Sequence, residues 1–292
     1  MNNLIRKKLI IGSANFGLNY GIKNHFNKLS FEKIKKILKY AEKNKIQMVD
    51  TASSYGDAEL KIGKVKLKNF KYISKVKITK KKKEDIKQEI HRQFNRTLKN
   101  LNQKKIYGVL IHNLLRLNNY QIKSAFEFLY LLKKNKKILK LGFSTYGDYK
   151  IKFILSRFNV DIIQTSVNVL DNRAFSKDLL KLYKRKKIKI HARSVFLQGL
   201  LISQKLKAPK KIRNDWKKNK KIWFDFCDKK KSKPIRLALN YVLQKKNVDK
   251  IILGFDLKDQ LVNILNMKHK KIKLTHLNFK KTDKIVNPFM WF

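Results

Sequence analysis

Along the 292 residues, short apolar runs rich in β-branched side chains alternate with longer stretches whose apolar residues recur at spacings of three and four. The first pattern is that of a strand covered on both faces and the second that of an amphipathic helix, so their alternation predicts repeated βα units around a parallel sheet. Eight pairs are legible. The predicted strands are Lys8–Gly12, Ile46–Asp50, Tyr72–Val76, Ile106–His112, Leu139–Ser144, Asp161–Ser166, Ile188–Ser194 and Lys250–Gly254. Helices are predicted over Phe31–Asn44, a short piece after Asp57, Glu84–Leu101, Tyr120–Lys134, Asp148–Arg157, Ser176–Arg185, Pro234–Lys245 and Lys258–Met267. Pro234 falls near the start of its helix, where a missing N–H is harmless. No linker or break in the alternation divides the chain near its middle. The expected architecture is therefore α/β, a (β/α)8 TIM barrel forming a single domain over residues 1–292, rather than two doubly wound halves. Gly199–Lys233 is the longest stretch with no predicted element, expected to be an irregular connection that is either functional or disordered.

Composition changes this picture little. The chain carries 72 Lys+Arg against 20 Asp+Glu, a net charge of +52. Such a charge suits nucleic acid or an anionic membrane surface. Here, however, the lysines are spread over nearly every predicted helix, beside abundant Ile, Asn and Phe and only 10 Gly and 3 Pro. That distribution is the signature of AT-rich codons filling solvent-facing positions, not of a stripe built for phosphates. No helix-turn-helix, zinc-ligand set or RNA-recognition motif is present, so no specific nucleic-acid partner is expected. Weak, salt-sensitive binding of polyanions is. Cys227 is the only cysteine, which precludes an internal disulfide and a cysteine metal cluster. With no leader-like opening and no lysine-free run of membrane-spanning length, the reading is a cytoplasmic protein without a membrane partner or a metal.

Active-site groups in a barrel of this type gather at the carboxyl ends of the strands. Asp50 closes the second predicted strand, Tyr55 follows in its loop, Lys75 sits near the end of the third, and His112 ends the fourth. A carboxylate and a lysine in apolar strands are each costly to bury alone, and pairing them removes both costs. Such a pair beside a tyrosine supports proton transfer coupled to hydride transfer. A nearby ammonium favours the phenolate, the carboxylate holds the lysine, and a neutral histidine donates a hydrogen bond to the substrate carbonyl. Singly, each residue has an ordinary explanation, as a helix cap, a snorkelling lysine or a satisfied strand end. Four complementary groups on three successive strand ends favour the chemical one.

The segment Asp50-Thr51-Ala52-Ser53-Ser54-Tyr55-Gly56-Asp57-Ala58-Glu59 resembles the signature of the aldo-keto reductase superfamily, and the spacing to Ser74-Lys75 and Ile111-His112-Asn113 fits it. The resemblance implies that Asp50, Tyr55, Lys75 and His112 are the catalytic set, with Lys77 a competitor only if the register slips by two residues. It extends to Ile10–Gly17 at the opening strand and to Gly142–Tyr146, and to Asp161–Gln164 followed by Asn168. It implies that Ser144 and Gln164 hold a nicotinamide carboxamide, and that Ala192–Leu201, with Arg193, Ser194, Phe196 and Gln198, runs beneath the ring toward the pyrophosphate. Arg193 stands where the family usually has an aromatic. Gly254, Asp256 and Gln260 resemble the last strand and the helix that receives the adenosine phosphate, a placement that suits free helix N–H groups. Leu257 and Asn263-Ile264 depart from that pattern. On the family's habit and on local lysines such as Lys258 the cofactor implied is NADP(H), with NAD(H) possible because Asp256 would disfavour a ribose phosphate.

The resemblance thus implies an NAD(P)H-dependent oxidoreductase that interconverts a carbonyl and an alcohol, its partner a small aldehyde or ketone, sugar-like by analogy with short bacterial members. The Asn19-Tyr20-Gly21 loop, the stretch after His112 and the tail Pro288–Phe292 are expected to line the substrate pocket, the apolar tail being equally suited to packing against the barrel or a partner subunit. The basic stretch Gly199–Lys233 either folds over the cofactor or is a plain basic loop. Two readings compete: an aldolase using Lys75 as Schiff-base nucleophile, and a barrel that binds cofactor without turnover.

Overall fold

The computed structural model describes residues 2–22, 28–147, 150–268, 277–280 and 283–291. Its centre is a closed parallel barrel whose strands follow one another in chain order. They are β1 (Leu9–Gly12), β2 (Met48–Asp50), β3 (Lys71–Val76), β4 (Ile106–Ile111), β5 (Ile138–Thr145), β6 (Ile162–Ser166), β7 (Lys189–Arg193) and β8 (Lys250–Gly254). β8 closes on β1 with Leu9 opposite Ile251 and Gly12 opposite Gly254. The fold is the expected (β/α)8 TIM barrel.

The helices, in chain order, are α1 (Asn2–Lys8), α2 (Ala14–Gly17), α3 (Phe31–Lys43), α4 (Ala58–Lys64), α5 (Lys83–Leu101) and α6 (Asn119–Lys134), then α7 (Ile151–Arg157), α8 (Lys177–Arg185), α9 (Arg213–Lys229), α10 (Pro234–Leu243), α11 (Lys258–Asn266) and α12 (Asp283–Val286). In α3, Ile34, Ile37, Leu38 and Ala41 are buried at the helical spacing, and the Ser30 hydroxyl accepts from the Lys33 N–H at its start. Asn118 and Gln121 cap α6 reciprocally, each side chain accepting from the other's backbone N–H. Asp148 and Tyr149, where the helix before Arg157 was expected to begin, lie outside the described residues.

Four predicted strands begin one or two residues early, at Lys8, Ile46, Asp161 and Ile188, and two of them for one reason. Ile46 and Ile188 are not strand residues; their N–H groups bond back to Ala41 and Tyr183, closing the preceding helix while Lys45 and Lys187 adopt positive φ. This is the helix-ending turn that glycine usually occupies. At the other end, Ser194 has φ 56° and so leaves β7 at Arg193.

Gly199–Lys233 is not an irregular connection. Nearly half of it is α9, which buries Trp216, Trp223, Phe224 and Cys227 in a second apolar core with Leu197, Leu200, Leu237 and Ile285. The signal was present as Ile212, Trp216 and Trp223 at helical spacing, hidden among lysines. Trp291 is buried in this same core and donates to the Lys284 and Ile285 carbonyls. Of the two roles expected for the tail, Trp291 takes the packing one. α1, which packs against α11 and β8 with Ile5 buried, was not predicted. Among the described residues no helix is long and apolar enough to cross a membrane.

Inside the barrel, Ile10, Met48, Ile73, Leu110, Ile162 and Ile252 form one apolar layer. Side chains along a strand alternate faces, so the residues two positions onward face the same interior one step nearer the carboxyl rim. Those residues are Gly12, Asp50, Lys75, His112, Gln164 and Gly254. The strand period alone delivers most of the expected site to one place.

Candidate active site

Asp50 and Lys75 meet at the top of that interior. Lys75 Nζ donates to Asp50 Oδ2 at 2.6 Å and to the Thr51 carbonyl at 2.9 Å, and both side chains are buried. Asp50 Oδ1 accepts from Gln164 Nε2 at 2.7 Å, so both carboxylate oxygens are engaged. Burial pushes the Lys75 ammonium down, and the Asp50 charge opposes that shift. Lys77, the competing lysine, is exposed and lines a separate polar depression with Ser53, Thr79, Glu89 and Arg92.

Tyr55 is held over this pair by a close fit between two loops. A Cβ on Gly17 would lie 1.9 Å from the Tyr55 carbonyl oxygen, and one on Gly56, which has φ +57°, would lie 2.4 Å from the Gly17 carbonyl. Only glycine allows either approach. Lys75 Nζ lies 5.1 Å from the Tyr55 ring centroid. The His112 ring stands edge-on to Tyr55 with centroids 5.7 Å apart, and its Nδ1 faces the Ser54 hydroxyl at 3.2 Å. The four expected residues are brought together.

Their electrostatics differ from the expectation in one respect. Burial first, and the Asp50 charge second, raise the Tyr55 pKa, while Arg193 opposes them. Tyr55 thus keeps its proton firmly here. His112 is pushed down to about 3 by burial and by the Lys75, Arg193 and Lys77 charges, so its imidazole is neutral at pH 7.

A cleft of about 410 Å³ opens beside Asp50 and Tyr55 and runs between the ends of β1, β7 and β8. Gln164, Arg193, Ser194, Phe196, Gln198, Gly254, Asp256 and Gln260 all line it. Ser144 does not; it is buried on β5 in register with Gln164. Residues 194, 197 and 198 have positive φ, which turns the chain sharply along the cleft wall after β7. From the segment after Gly199 the lining residues are Ile202, Ser203 and Leu206, not its lysines.

At the far end, Asn15 Nδ2 donates to Asp256 Oδ1 and to the Phe255 carbonyl, both at 2.9 Å. Gln260 Oε1 accepts from the Asp256 N–H at 2.7 Å and faces the Leu257 N–H at 3.4 Å, so it caps the start of α11 from within. Among the described residues Arg193 is the only cation lining the cleft. Asn15 and Ser54 escaped the sequence reading. Both stand in segments that carry the resemblance, Ser54 beside Tyr55 and Asn15 within Ile10–Gly17, but the tie of Asn15 to Asp256 spans 241 residues.

An elongated dinucleotide fits this cleft. Its walls join the polar cluster at Asp50 and Tyr55 to a helix start, and the buried Asn15 Oδ1 and Arg193 Nε have no protein partner. Among the described residues no group of three or more His, Cys, Asp or Glu is placed to hold a metal.

A parallel barrel with this cluster at its carboxyl rim defines a class of enzymes, and the model of the aldo/keto reductase family matches residues 8–287. The chain belongs to that family, whose members are carbonyl and alcohol oxidoreductases. Among solved structures it is similar to a glycerol dehydrogenase from Gluconobacter oxydans, with 17% identity, a TM-score of 0.70 and 90% of this chain and 87% of that one covered. It is also similar to the holo form of an aldo-keto reductase from Bacillus halodurans, with 20% identity, a TM-score of 0.70 and 90% and 88% coverage. At these identities the likeness speaks for the fold. No curated protein sequence matches the chain.

Proposed function

We propose that this chain interconverts an aldehyde or ketone and the corresponding alcohol with a nicotinamide dinucleotide, using Tyr55 as the proton donor and acceptor. The observation that carries the reading is the buried Asp50–Lys75 pair directly beneath Tyr55, with neutral His112 at its edge. When bound, the dinucleotide supplies or accepts the hydride. In the reducing direction the carbonyl oxygen takes the Tyr55 proton as its carbon becomes the alcohol carbon, leaving a phenolate that water reprotonates. With the Ser54 hydroxyl donating to Nδ1, Nε2 of His112 carries the hydrogen that orients the substrate oxygen. Asp50 keeps Lys75 fixed and charged beneath the ring.

Gln164, Ser194, Phe196 and Gln198 would hold the nicotinamide half, and Gly254, Asp256 and Gln260 the adenosine half. At this end the Asp256 carboxylate lines the cleft and opposes a ribose phosphate, whereas Lys258 and the first N–H groups of α11, which Gln260 does not engage, favour one. Family habit and Lys258 favour NADP(H), and Asp256 keeps NAD(H) as the alternative. Sugar-like carbonyls are the preferred substrate class, by resemblance. The Schiff-base alternative is disfavoured because Lys75 is buried and donates to two oxygens, where an aldolase needs a reachable amine. The cytoplasm suits a chain whose one cysteine is a buried free thiol.

Fluorescence titration with NADH, NADPH and ATP at low and physiological salt tests this reading. Saturable binding of NADPH or NADH that persists in salt and exceeds that of ATP is expected. Equal, salt-sensitive binding of all three would mean that only the +52 charge is being read.

A further inference from the structure

The polar depression that Lys77 lines is a second cavity at the carboxyl rim, of about 450 Å³, between the loops after β2 and β3 and the flank of α5. It shares no lining residue with the catalytic cleft. Its walls are fixed by hydrogen bonds. Gln93 Oε1 accepts from the Ser53 hydroxyl at 2.6 Å and from the Lys77 N–H at 3.0 Å, and its Nε2 donates to the Lys77 carbonyl at 2.7 Å. Arg96 donates from one terminal nitrogen to the Ser53 carbonyl at 3.0 Å. Three cations, Lys77, Arg92 and Arg96, line the depression against one carboxylate, Glu89. Both Glu89 oxygens are already taken, Oε2 by the N–H groups of Thr79 and Lys80 and Oε1 by the Thr79 hydroxyl. Among the described residues Lys77 and Arg92 have no carboxylate partner. The lining therefore keeps positive charge and free donors, with its acceptors used up, which is what an anion requires.

Two features set this depression apart from the general lysine surface. Of the 72 basic residues only ten are arginine, and two of those, Arg92 and Arg96, stand one helical turn apart in its lining. A guanidinium grips phosphate through a planar fork that an ammonium lacks. The second feature is Ser54, which lines the depression while its hydroxyl faces His112 Nδ1 at 3.2 Å. We propose that the depression binds the phosphate group of a second ligand, a small phosphate monoester distinct from the carbonyl substrate, and that its occupancy reaches His112 through Ser54. A phosphate oxygen competes with Nδ1 for the single Ser54 proton and so loosens the hydrogen bond that orients the imidazole. The cavity has room for the carbon skeleton of such an ester beside its phosphate. The ligand is separate from the substrate because the two cavities have no wall in common. The binding site stands without the reading of Tyr55 as proton donor.

Calorimetric titration of the full chain with inorganic phosphate and with glycerol phosphate, at physiological salt and without cofactor, tests the site. Saturable binding at a single site is expected, with none for glycerol. Arg92→Gln removes a side chain that makes no hydrogen bond in the structure, and it should weaken binding by about tenfold or more, the scale of a lost charged hydrogen bond. Lys217→Gln, the same charge change on the exposed side of α9, should leave it within about twofold. In 15N NMR, saturating phosphate should move the Nδ1 resonance of His112, assigned by its loss in His112→Asn. Equal weakening by the two charge variants, or binding that vanishes in salt, overturns the site and assigns the phosphate to the +52 surface. An unmoved Nδ1 resonance overturns the link to His112. A Michaelis constant that rises in Arg92→Gln for a phosphorylated aldehyde alone would show the phosphate to be the substrate's own and overturn the second ligand. A Tyr55→Phe enzyme active at the parent rate would contradict the catalytic reading and leave the phosphate titration untouched, so the two failures are separable.

Discussion

Gln164 Nε2 donates to Asp50 Oδ1 at 2.7 Å, opposite the oxygen that Lys75 occupies. The resemblance assigns Gln164 to the cofactor carboxamide, but its amide nitrogen already has a buried charged partner. Its first role is to complete the shell of Asp50. A hydrogen bond to a buried carboxylate contributes about 1.5–3 kcal/mol, and its loss leaves an unpaired oxygen. Gln164→Met should therefore lower stability in urea unfolding by about 2 kcal/mol in the absence of any cofactor. A residue serving the cofactor alone would leave that value unchanged.

The helix ends yield a second prediction. Lys187 adopts φ 54° where it terminates α8, and the next N–H bonds back to Tyr183. A side chain in this conformation costs roughly 1–2 kcal/mol, part of which glycine returns as backbone entropy in the unfolded chain. Lys187→Gly should raise stability by about 0.5–1 kcal/mol, read from the urea midpoint at unchanged slope. A fall would mean that the lysine side chain makes a compensating contact.

These same turns explain what the sequence hid. All eight barrel strands were legible, because strands buried on both faces keep uniform apolar runs. The starts of β2 and β7 were not, because lysine stands at positions 45 and 187 where glycine normally announces the end of a helix. The lysine excess obscured α9 in the same way, interrupting the apolar face that Ile212, Trp216 and Trp223 form. The catalytic candidates were readable because alternation of side chains carries Asp50, Lys75 and His112 to one rim. The Asn15–Asp256 and Ser54–His112 contacts depend on loop conformation, which no periodicity encodes.

Trp291 separates packing from substrate binding. It is 2% exposed and bonds to two carbonyls of α12 in the core that holds Trp223. Trp291→Ala should cost about 3–5 kcal/mol of stability, the range for truncating a buried aromatic, while the Michaelis constant of the folded enzyme stays within twofold. A large rise in that constant with stability intact would return the tail to the pocket.

His191 contributes, as His112 does, to the loss of stability toward acid. It is 3% exposed on β7, its Nδ1 has no partner, and burial pushes its pKa down to about 3. The unfolded chain binds this proton near pH 6.5, whereas the folded chain does so only near pH 3. Protons therefore favour unfolding between those values, and stability falls as pH drops from 6.5 toward 3. His191→Leu should remove a few kcal/mol of that loss by the bottom of the window, measured by urea unfolding at steps of pH. A parallel pH profile in the variant would assign the acid sensitivity elsewhere.

The central claim is that Tyr55 exchanges a proton with the substrate oxygen and does little else. The most direct measurement pairs single-turnover reduction of a good carbonyl substrate with NADPH affinity, in the parent and in Tyr55→Phe. Loss of a general acid should slow the hydride-transfer step by about 10²–10⁴-fold while the dissociation constant for NADPH stays within about threefold. Turnover at the parent rate with the hydroxyl gone would contradict the account.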